Sequence, residues 1–316
     1  MNSFIDTLAF SFSITGPIFV VLALGAYLSR RGVINDNFID IGSRLVFNIT
    51  LPSLLFINIS QTSIEQAANF KLIGVGLIGT LIAYLLLEAI SARVVHPASE
   101  RGVVVQGGFR SNMGIVGLAY CINAYGDAGL IAASLYLAMV TILFNVLSVI
   151  TLNRSLNRAA GISATLLGIG KNPLILGILF ALPVAWAGIE LPHIIIRTGE
   201  YFAHMTLPLA LLCTGASLNF GALRHNRFNA ILATTFKLLI VPLLITLGGM
   251  LLGLRGLELG VLFLMASAPT SAASYVMVRT MDGNASLAAN IIVMTTLGSL
   301  LTTSIGVTLL KQLGLI

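Results

Sequence analysis

Charged residues are scarce in this sequence. Only 9% of its 316 residues are Asp, Glu, Lys or Arg, whereas soluble domains carry about 25%. Hydrophobic residues make up 57% of the chain and the mean hydropathy is +0.99, which excludes an ordinary soluble domain. The apolar runs are too long and too continuous for the strands of a membrane barrel. The sequence therefore predicts an all-α polytopic membrane protein in a lipid bilayer.

Residues that carry covalent or metal chemistry are also few. The two cysteines, Cys121 and Cys213, lie inside apolar runs, so neither a disulfide nor a cysteine-ligated metal is expected. The sequence contains no nucleotide-binding loop, metal-ligand cluster or nucleophile–base arrangement. We therefore predict no enzyme activity, no metal and no cofactor.

Long apolar runs are what the sequence does contain, and we interpret them as ten transmembrane spans. Their connections are short, and the largest polar one is about Leu152–Gly170, so no separate soluble domain is expected. Numbered in chain order, the predicted spans are 11–29, 38–59, 70–94, 101–123, 128–151, 171–189, 194–219, 228–253, 257–279 and 285–311.

The net charge of +6 is explained better by the positive-inside rule than by nucleic-acid binding, so no nucleic-acid partner is expected. No basic residue precedes the first apolar run, whereas Arg30 and Arg31 follow it. This argues against a cleaved signal peptide and puts the amino end outside. Ten cations then lie at inner loops and four at outer loops. Both termini are expected outside, which in a bacterium is the periplasmic side of the inner membrane.

The two halves of the chain repeat each other weakly. Thr50-Leu51-Pro52 recurs as Thr206-Leu207-Pro208 at an offset of 156 residues, and other matches fall at 157. The halves 1–156 and 157–316 then hold five spans each, and an odd number inserts the second half upside down. Inverted repeats with discontinuous helices are the architecture of secondary transporters.

Two spans are interrupted by residues that are unfavourable in a transmembrane helix. Span 4 contains Gly107–Gly117, with four glycines, a serine, an asparagine and an arginine, and span 9 contains Ala266–Ser274. A glycine costs about 1 kcal/mol relative to alanine, and a central arginine costs several times more. Such residues are tolerated mainly where backbone opens around a polar cavity. At the offset of 157, Asn112 lies opposite Pro269, so we expect two broken helices to cross near mid-depth.

This crossing point is the predicted substrate site. The breaks free backbone amides at the starts of two half-helices, and such amides bind carboxylates well. Asn112 adds a side-chain amide. The alternative interpretation is that these small polar residues only permit close helix packing. The predicted site at the breaks comprises Arg110, Ser111, Asn112, Met113, Gly114, Pro269, Thr270 and Ser271.

Spans 2 and 7 add residues from the repeated Thr-Leu-Pro motif and the turn before it. The added residues are Asn48, Thr50, Pro52, His204 and Thr206. Glu200 lies one turn before His204, and this pair is interpreted either as a proton-coupling pair or as a plain interhelical hydrogen bond.

Two cations within the spans also have two interpretations each. Arg110 is either the counter-ion of an anionic substrate, with a bidentate contact to a carboxylate, or half of an ion pair with Glu88. Lys237 in span 8 either holds the crossing point together, or it snorkels or caps a carbonyl near the Pro242 kink.

The sequence resembles the auxin efflux carrier family over nearly its whole length. The resemblance rests on the ten-span repeat, on Asn-Met-Gly-Ile-Val-Gly-Leu at Asn112–Leu118 and on Ala-Pro-Thr-Ser-Ala-Ala-Ser-Tyr at Ala268–Tyr275. That family includes bacterial carriers of malonate, malate and other organic acids, and plant auxin exporters. The resemblance implies a scaffold of spans 1, 2, 6 and 7 and a transport domain of spans 3–5 and 8–10. The transport domain would move as an elevator, and a homodimer through the scaffold spans is a further expectation.

Bile-acid sodium symporters are similar in fold and bind sodium with carboxylates and amides near the crossing point, where Lys237 would take the place of an ion. No acidic residue lies near either break in this chain. We therefore expect a secondary transporter of small organic anions, namely mono- or dicarboxylates such as malonate, malate or auxin-like acids. The alternatives are a sodium-coupled symporter and a membrane sensor that binds its ligand without transporting it.

Overall fold

The computed structural model describes residues 2–61, 69–156, 173–218, 220–221 and 227–316. Within these ranges the regular structure is helical, apart from one isolated antiparallel bridge between Ser111 and Thr270. The predicted all-α class is confirmed. Most of the predicted polar connection after Leu152 lies outside the described residues.

Thirteen α-helices lie within the described ranges, and several of them are joined end to end by short turns. They are α1 Asn2–Arg30, α2 Asp36–Leu45, α3 Leu51–Ser60, α4 Phe70–Val94, α5 Arg101–Phe109, α6 Leu118–Ser155, α7 Pro173–Trp186, α8 His193–Ala216, α9 Arg227–Thr235, α10 Val241–Leu251, α11 Gly256–Ser267, α12 Ala273–Thr280 and α13 Ala285–Gln312.

Within the described ranges, six continuous helical segments are long and apolar enough to cross a membrane. They are Ala9–Arg30, Asp36–Ser60, Phe70–Val94, Met113–Ser155, Phe228–Leu251 and Ala285–Gln312. α7 and α11 are shorter apolar helices. The chain is therefore a polytopic helical membrane protein, and its division into two inverted five-span repeats stays a prediction.

A glycine divides α6 where the sequence predicts the boundary between spans 4 and 5. Gly126 has φ 60° and ψ −142° inside this helix, a conformation that residues with a Cβ rarely adopt. The chain therefore changes direction after Tyr125 without a loop.

Besides the π turn at the span 4 break, two further spans contain a π turn that the sequence did not predict. The turns are Val46–Thr50, which ends two residues before Pro52, and Phe236–Ile240, which ends two residues before Pro242. Proline has no amide hydrogen, and its ring crowds the carbonyl four residues earlier. A wider turn accommodates both effects, and π turns are frequent at functional sites. The second turn carries Lys237 into the protein interior.

The helices pack in two groups. In the first group, α1 packs against α8, and α3 packs against α7 and α8. In the second group, α6 packs against α5 and α11, and α10 packs against α4 and α11. The second group also includes α9, which packs against α5 and α13. Two glycines make the α1–α8 contact close: a Cβ at Gly215 would lie 2.0 Å from the Leu22 carbonyl oxygen, and one at Gly25 would lie 2.2 Å from that of Leu212. The division of the chain into a scaffold and a transport domain stays a prediction.

A seam of hydroxyl groups joins the two groups where α1 packs against α13. The Oγ of Ser11 lies 2.7 Å from Oγ1 of Thr308, and Oγ1 of Thr15 lies 2.9 Å from Oγ of Ser304. All four side chains are buried. The hydroxyls are spaced one helical turn apart on each helix.

Asparagine–glutamate hydrogen bonds join the starts of several helices. Asn69, which caps α4, donates from Nδ2 to Glu258 Oε1 of α11 at 2.5 Å. Asn229 of α9 donates from Nδ2 to Glu100 Oε2, just before α5, at 2.6 Å. Asn284, which caps α13, also donates from Nδ2 to Glu100 Oε1 at 2.8 Å. The first bond links predicted spans 3 and 9, and the second links spans 8 and 4. This exchange of partners is the relationship that two inverted five-span halves would produce.

Candidate functional site

Both predicted interruptions are breaks in helices. α5 ends at Phe109 and a π turn begins at Met113, and between them Arg110 has φ −82° and ψ 103° while Asn112 has φ −80° and ψ 59°. α11 ends at Ser267, and Ala268 follows with φ −56° and ψ 141°. The backbone is therefore opened in both spans where the sequence predicts it.

The two breaks pair with each other through the backbone. The Asn112 amide donates to the Pro269 carbonyl at 2.7 Å, and the Ser271 amide donates to the Arg110 carbonyl at 3.1 Å. A bilayer interior has no water to satisfy opened backbone, so each break supplies partners for the other. Proline at position 269 suits this arrangement because it has no amide hydrogen to leave unpaired.

Thr270 is occupied by structural hydrogen bonds, which differs from its predicted role as a substrate donor. Its Oγ1 donates to the Gly107 carbonyl at 2.6 Å, and its amide donates to Thr295 Oγ1 at 3.1 Å. The Ser271 amide is used as well, by Arg110, while the Ser271 Oγ accepts from the Ala273 amide at 3.3 Å. The span 9 break therefore retains the Ser271 hydroxyl proton as a donor.

The break in span 4 keeps more of its donors. The side-chain amide of Asn112 makes no hydrogen bond to the part of the chain that the structure describes, and neither do the backbone amides of Met113, Gly114 and Ile115. These amides begin the helical segment Met113–Ser155, whose first N–H groups have no partner within the helix. They carry the positive end of its dipole.

The open side of this helix start faces the other helix group. A Cβ added at Gly114 would lie 3.5 Å from Leu51 Cδ2 in α3 and 3.9 Å from Leu174 Cδ1 in α7. Thr50, next to Leu51, is fully buried, and its Oγ1 has no hydrogen-bond partner. Gly114, at the start of the span 4 helix, therefore lies on the boundary between the two groups.

Arg110 is buried and bound by neutral groups. It is 7% exposed, its Nη1 donates to Ser148 Oγ at 3.2 Å and to Met277 Sδ at 2.7 Å, and its Nη2 donates to Asn145 Oδ1 at 2.8 Å. Among the described residues its charge has no carboxylate partner. The guanidinium is thus held rigidly with its positive charge uncompensated.

The proposed ion pair between Arg110 and Glu88 is wrong. Glu88 lies 3.8 Å from Arg154, which is largely exposed, and accepts a short hydrogen bond from Thr151. Glu88 is near the end of α4, and its partners Thr151 and Arg154 follow Ser148 on α6 by three and six residues. The charge of Glu88 is paired at the edge of the bundle, whereas Arg110 is hydrogen-bonded only to neutral groups within it.

Lys237 is completely buried and caps the broken end of α11. Its Nζ donates to the Ala266 carbonyl at 2.6 Å. The predicted cap near Pro242 is therefore wrong in its location. Ser111 Oγ donates to the same Ala266 carbonyl at 3.4 Å, so Lys237 and the span 4 break meet at one oxygen atom.

The remaining predicted residues of spans 2 and 7 divide into buried and exposed positions. Asn48 and His204 are exposed on the surface of the chain. Thr206 is buried and donates to the Phe202 carbonyl at 3.1 Å, and Pro52 packs against Gly177 of α7. Glu200 and His204 make no hydrogen bond or ion pair within the described ranges, so the structure does not bring them together.

Sequence reasoning missed the neutral residues around Arg110. Gln106, one turn before Arg110, is fully buried with an unpaired Oε1, and its Nε2 lies 3.4 Å from Met277 Sδ. Asn145 and Ser148 come from the second half of α6. The available signal was polar residues at helical spacing within apolar runs, at Gln106 and Arg110 and again at Asn145 and Ser148.

A cavity of about 300 Å³ lies apart from the crossing point, at the Arg30 end of α1. Its lining is largely apolar and includes Phe19, Tyr27 and Phe220. None of the predicted site residues lines it, so it is not part of the candidate site.

Paired broken helices inside a helical membrane protein are typical of secondary transporters. The family described as Membrane transport protein matches residues 13–307 of this chain. The chain belongs to this family, and the resemblance to auxin efflux carriers is confirmed. It is a membrane transporter.

Three relatives support this assignment. An uncharacterized transporter of Methanothermobacter thermautotrophicus is 28% identical, covering 90% of this chain and 93% of the relative. An uncharacterized transporter of Methanocaldococcus jannaschii is 26% identical, covering 90% and 94%. The uncharacterized transporter YfdV of Escherichia coli K12 is 23% identical, covering 87% and 91%. The similarity extends over nearly all of each protein.

Proposed function

We propose that this transporter carries small organic anions, namely mono- or dicarboxylates such as malonate, malate or auxin-like acids. The observation that supports this most directly is that Arg110 and Lys237 are both buried beside the breaks, with only neutral acceptors among the described residues. A central cation costs at least 2.5–3.5 kcal/mol in a bilayer (roughly, on insertion scales). An anion bound nearby would recover part of that cost.

The proposed binding groups lie at the start of the span 4 helix. The Asn112 side chain and the amides of Met113, Gly114 and Ile115 provide donors at the positive end of a helix dipole, an arrangement suited to carboxylate. The positive charge of Arg110, at the break itself, would add electrostatic attraction for the anion. Thr50 would contribute its hydroxyl from the facing helix group.

The proposed mechanism is an elevator movement of the second helix group against the first. The donors belong to the group that contains α5 and α6, while Leu51 and Leu174, which face Gly114, belong to the group that contains α3 and α7. Movement of one group would carry the anion past a fixed apolar surface. The proposed setting is the inner membrane of a bacterium, and the distribution of cations supports an orientation with both termini outside.

Uptake into proteoliposomes tests the proposal. The purified protein would be reconstituted, and labelled malonate, malate and lactate would be offered with sodium present or replaced by choline. We expect saturable uptake of at least one carboxylate that persists without sodium. Uptake that disappears without sodium would favour a sodium symporter. Binding with no flux or counterflow would favour a sensor, and the absence of both binding and flux would overturn the proposal.

A further inference from the structure

The cavity at the Arg30 end of α1 follows one face of that helix. The α1 residues that line it recur every three or four positions, at Phe19, Leu22, Ala23, Ala26, Tyr27 and Arg30, which is the spacing of a single helix face. Phe19 and Arg30 are eleven residues apart, a rise of about 16 Å along a helix. One leaflet of a bilayer has a hydrocarbon depth of about 15 Å, half of a ~30 Å core. The length of the cavity therefore matches the depth of one leaflet.

The cavity is apolar and opens at the surface of the chain. Leu218 and Phe220 line it from the segment after α8, and Thr296 and Leu297 line it from α13. Tyr27 is 52% exposed and Leu297 is 49% exposed, so a flexible chain can enter from the side of the helix bundle. The volume of about 300 Å³ lies at the lower end of ligand pockets. The cavity therefore suits one acyl chain rather than a whole lipid molecule.

Two arginines lie over aromatic rings of this cavity. The Cζ of Arg30 is 4.5 Å from the centre of the Phe220 ring, and that of Arg31 is 5.3 Å from the centre of the Tyr27 ring. A ring against the face of a guanidinium leaves the N–H groups at its edge for other acceptors. Within the described ranges, neither arginine side chain donates a hydrogen bond or pairs with a carboxylate. Two positive charges with available donors therefore lie where the apolar cavity ends.

We propose that this cavity binds an anionic phospholipid of the surrounding bilayer. One acyl chain would fill the cavity along α1, and the headgroup phosphate would accept hydrogen bonds from Arg30 and Arg31. No acidic residue is among the described residues that line the cavity, so nothing there repels a phosphate. Basic pockets between transmembrane helices bind anionic lipid headgroups. The apolar lining and the two arginines together select a molecule that has both a hydrocarbon chain and a negative charge.

The bound lipid would contact both helix groups, since α1 belongs to the first group and α13 to the second. Its chain would add apolar contacts across the boundary between them. A ligand that binds only the folded state raises Tm, so the lipid should stabilise the purified protein. The cavity contains none of the residues proposed to bind carboxylate, and this inference goes beyond the proposed function.

Thermal unfolding of the natural protein in a neutral detergent tests the proposal. Dioleoyl phosphatidylglycerol and dioleoyl phosphatidylcholine would be titrated separately, because they share their acyl chains and differ in headgroup charge. Sodium phosphate provides the charge without a chain. We expect a saturable rise in Tm with phosphatidylglycerol and little change with the other two. No rise, or an equal rise with phosphatidylcholine or with phosphate, would overturn the proposal.

Substitution of the arginines tests the headgroup contact. Arg30→Gln combined with Arg31→Gln should weaken phosphatidylglycerol binding about thirtyfold, because each arginine near the membrane surface contributes about fivefold. Native mass spectrometry would count the lipids retained by each protein. Arg93→Gln is the matched control, since Arg93 is exposed in the last turn of α4 and lies outside the cavity. It should bind phosphatidylglycerol as the natural protein does.

A larger side chain in the cavity tests the acyl-chain contact. Ala26→Trp should prevent retention of phosphatidylglycerol, whereas Val20→Trp, at a 69% exposed position of α1 outside the lining, should not. If Ala26→Trp does not survive purification, the arginine pair decides, and an unchanged affinity there contradicts the proposal. A dimer that retains no phosphatidylglycerol would show that a second copy of the chain covers the cavity, which also contradicts it. Failure of carboxylate uptake would leave these measurements unaffected.

Discussion

Asn112 and Thr270 lie on the two paired breaks, but their side chains differ in whether they are hydrogen-bonded within the protein. The Thr270 hydroxyl and amide already have partners at Gly107 and Thr295. The Asn112 side chain makes no hydrogen bond within the described ranges. A polar group without an internal partner is available to a ligand, whereas one that completes the backbone contributes to stability.

This contrast predicts that one substitution impairs uptake and that the other impairs stability. Asn112→Ala should abolish or strongly reduce carboxylate uptake and leave Tm nearly unchanged. Thr270→Val should lower the free energy of unfolding by about 1–3 kcal/mol, because the Gly107 carbonyl loses its donor. Uptake and thermal unfolding of both variants provide the measurement. A large loss of Tm in Asn112→Ala, with uptake retained, would reverse the assignment.

Arg110→Gln should weaken carboxylate binding about tenfold, at the lower end of what loss of a charged hydrogen-bonding group costs. The effect should exceed that of Lys237→Gln, since Lys237 holds the protein rather than the substrate. Because Glu88 pairs with Arg154, adding Glu88→Gln should restore neither affinity nor Tm. Equilibrium binding to the three variants, with Tm measured alongside, checks this, and recovery in the double variant would revive the ion pair with Glu88.

At the scale of elements, the broken span 9 depends on a proline. The Pro269 carbonyl accepts a hydrogen bond from the Asn112 amide. As a proline, residue 269 has no amide hydrogen of its own. Pro269→Ala supplies that hydrogen, and we expect α11 to extend into the break and separate it from span 4. Uptake should fall severely while the protein still inserts and purifies as a single species.

Pro183→Ala is the matched control, because Pro183 lies inside α7 on an exposed face. It removes a helix proline far from the crossing point and should leave uptake close to that of the natural protein. Equal losses in the two variants would mean that the effect belongs to prolines in general.

The breaks could be predicted because their cause is local: glycine, asparagine and proline are unfavourable inside a single apolar run. Which hydrogen-bond donors are already occupied within the protein could not be predicted, because their partners are distant in sequence. Thr270 is occupied by Gly107, which is 163 residues away, and Arg110 is surrounded by Asn145 and Met277 from two other helices. The π turns before Pro52 and Pro242 also have a local cause, which is the proline that follows each of them.

At the scale of the whole molecule, the α1–α13 seam lies between the two helix groups, so it must shift if one group moves. Thr15→Cys with Ser304→Cys should form a disulfide on oxidation, because the two hydroxyls are 2.9 Å apart, once Cys121 and Cys213 are replaced. We expect oxidation to stop uptake and reduction to restore it.

The single-cysteine variants, Thr15→Cys and Ser304→Cys on the same background, are the controls and should transport under oxidation. The extent of cross-linking would be read from mobility on a denaturing gel. Full uptake by completely cross-linked protein would show that α1 and α13 keep their relative position, and the elevator would then have to be abandoned.

The spacing of the hydroxyl groups along the seam defines a distance. Ser11 and Thr15 are four residues apart, as are Ser304 and Thr308, and four residues of helix rise about 6 Å. A slide of that distance brings Thr15 opposite Thr308, or Ser11 opposite Ser304, depending on its direction. One new hydroxyl pair then replaces the two original pairs. At intermediate distances neither forms, and each lost contact costs about 0.5–1.5 kcal/mol. Motion along this seam would therefore proceed in discrete steps of one turn, with resting positions set by the spacing of four small side chains.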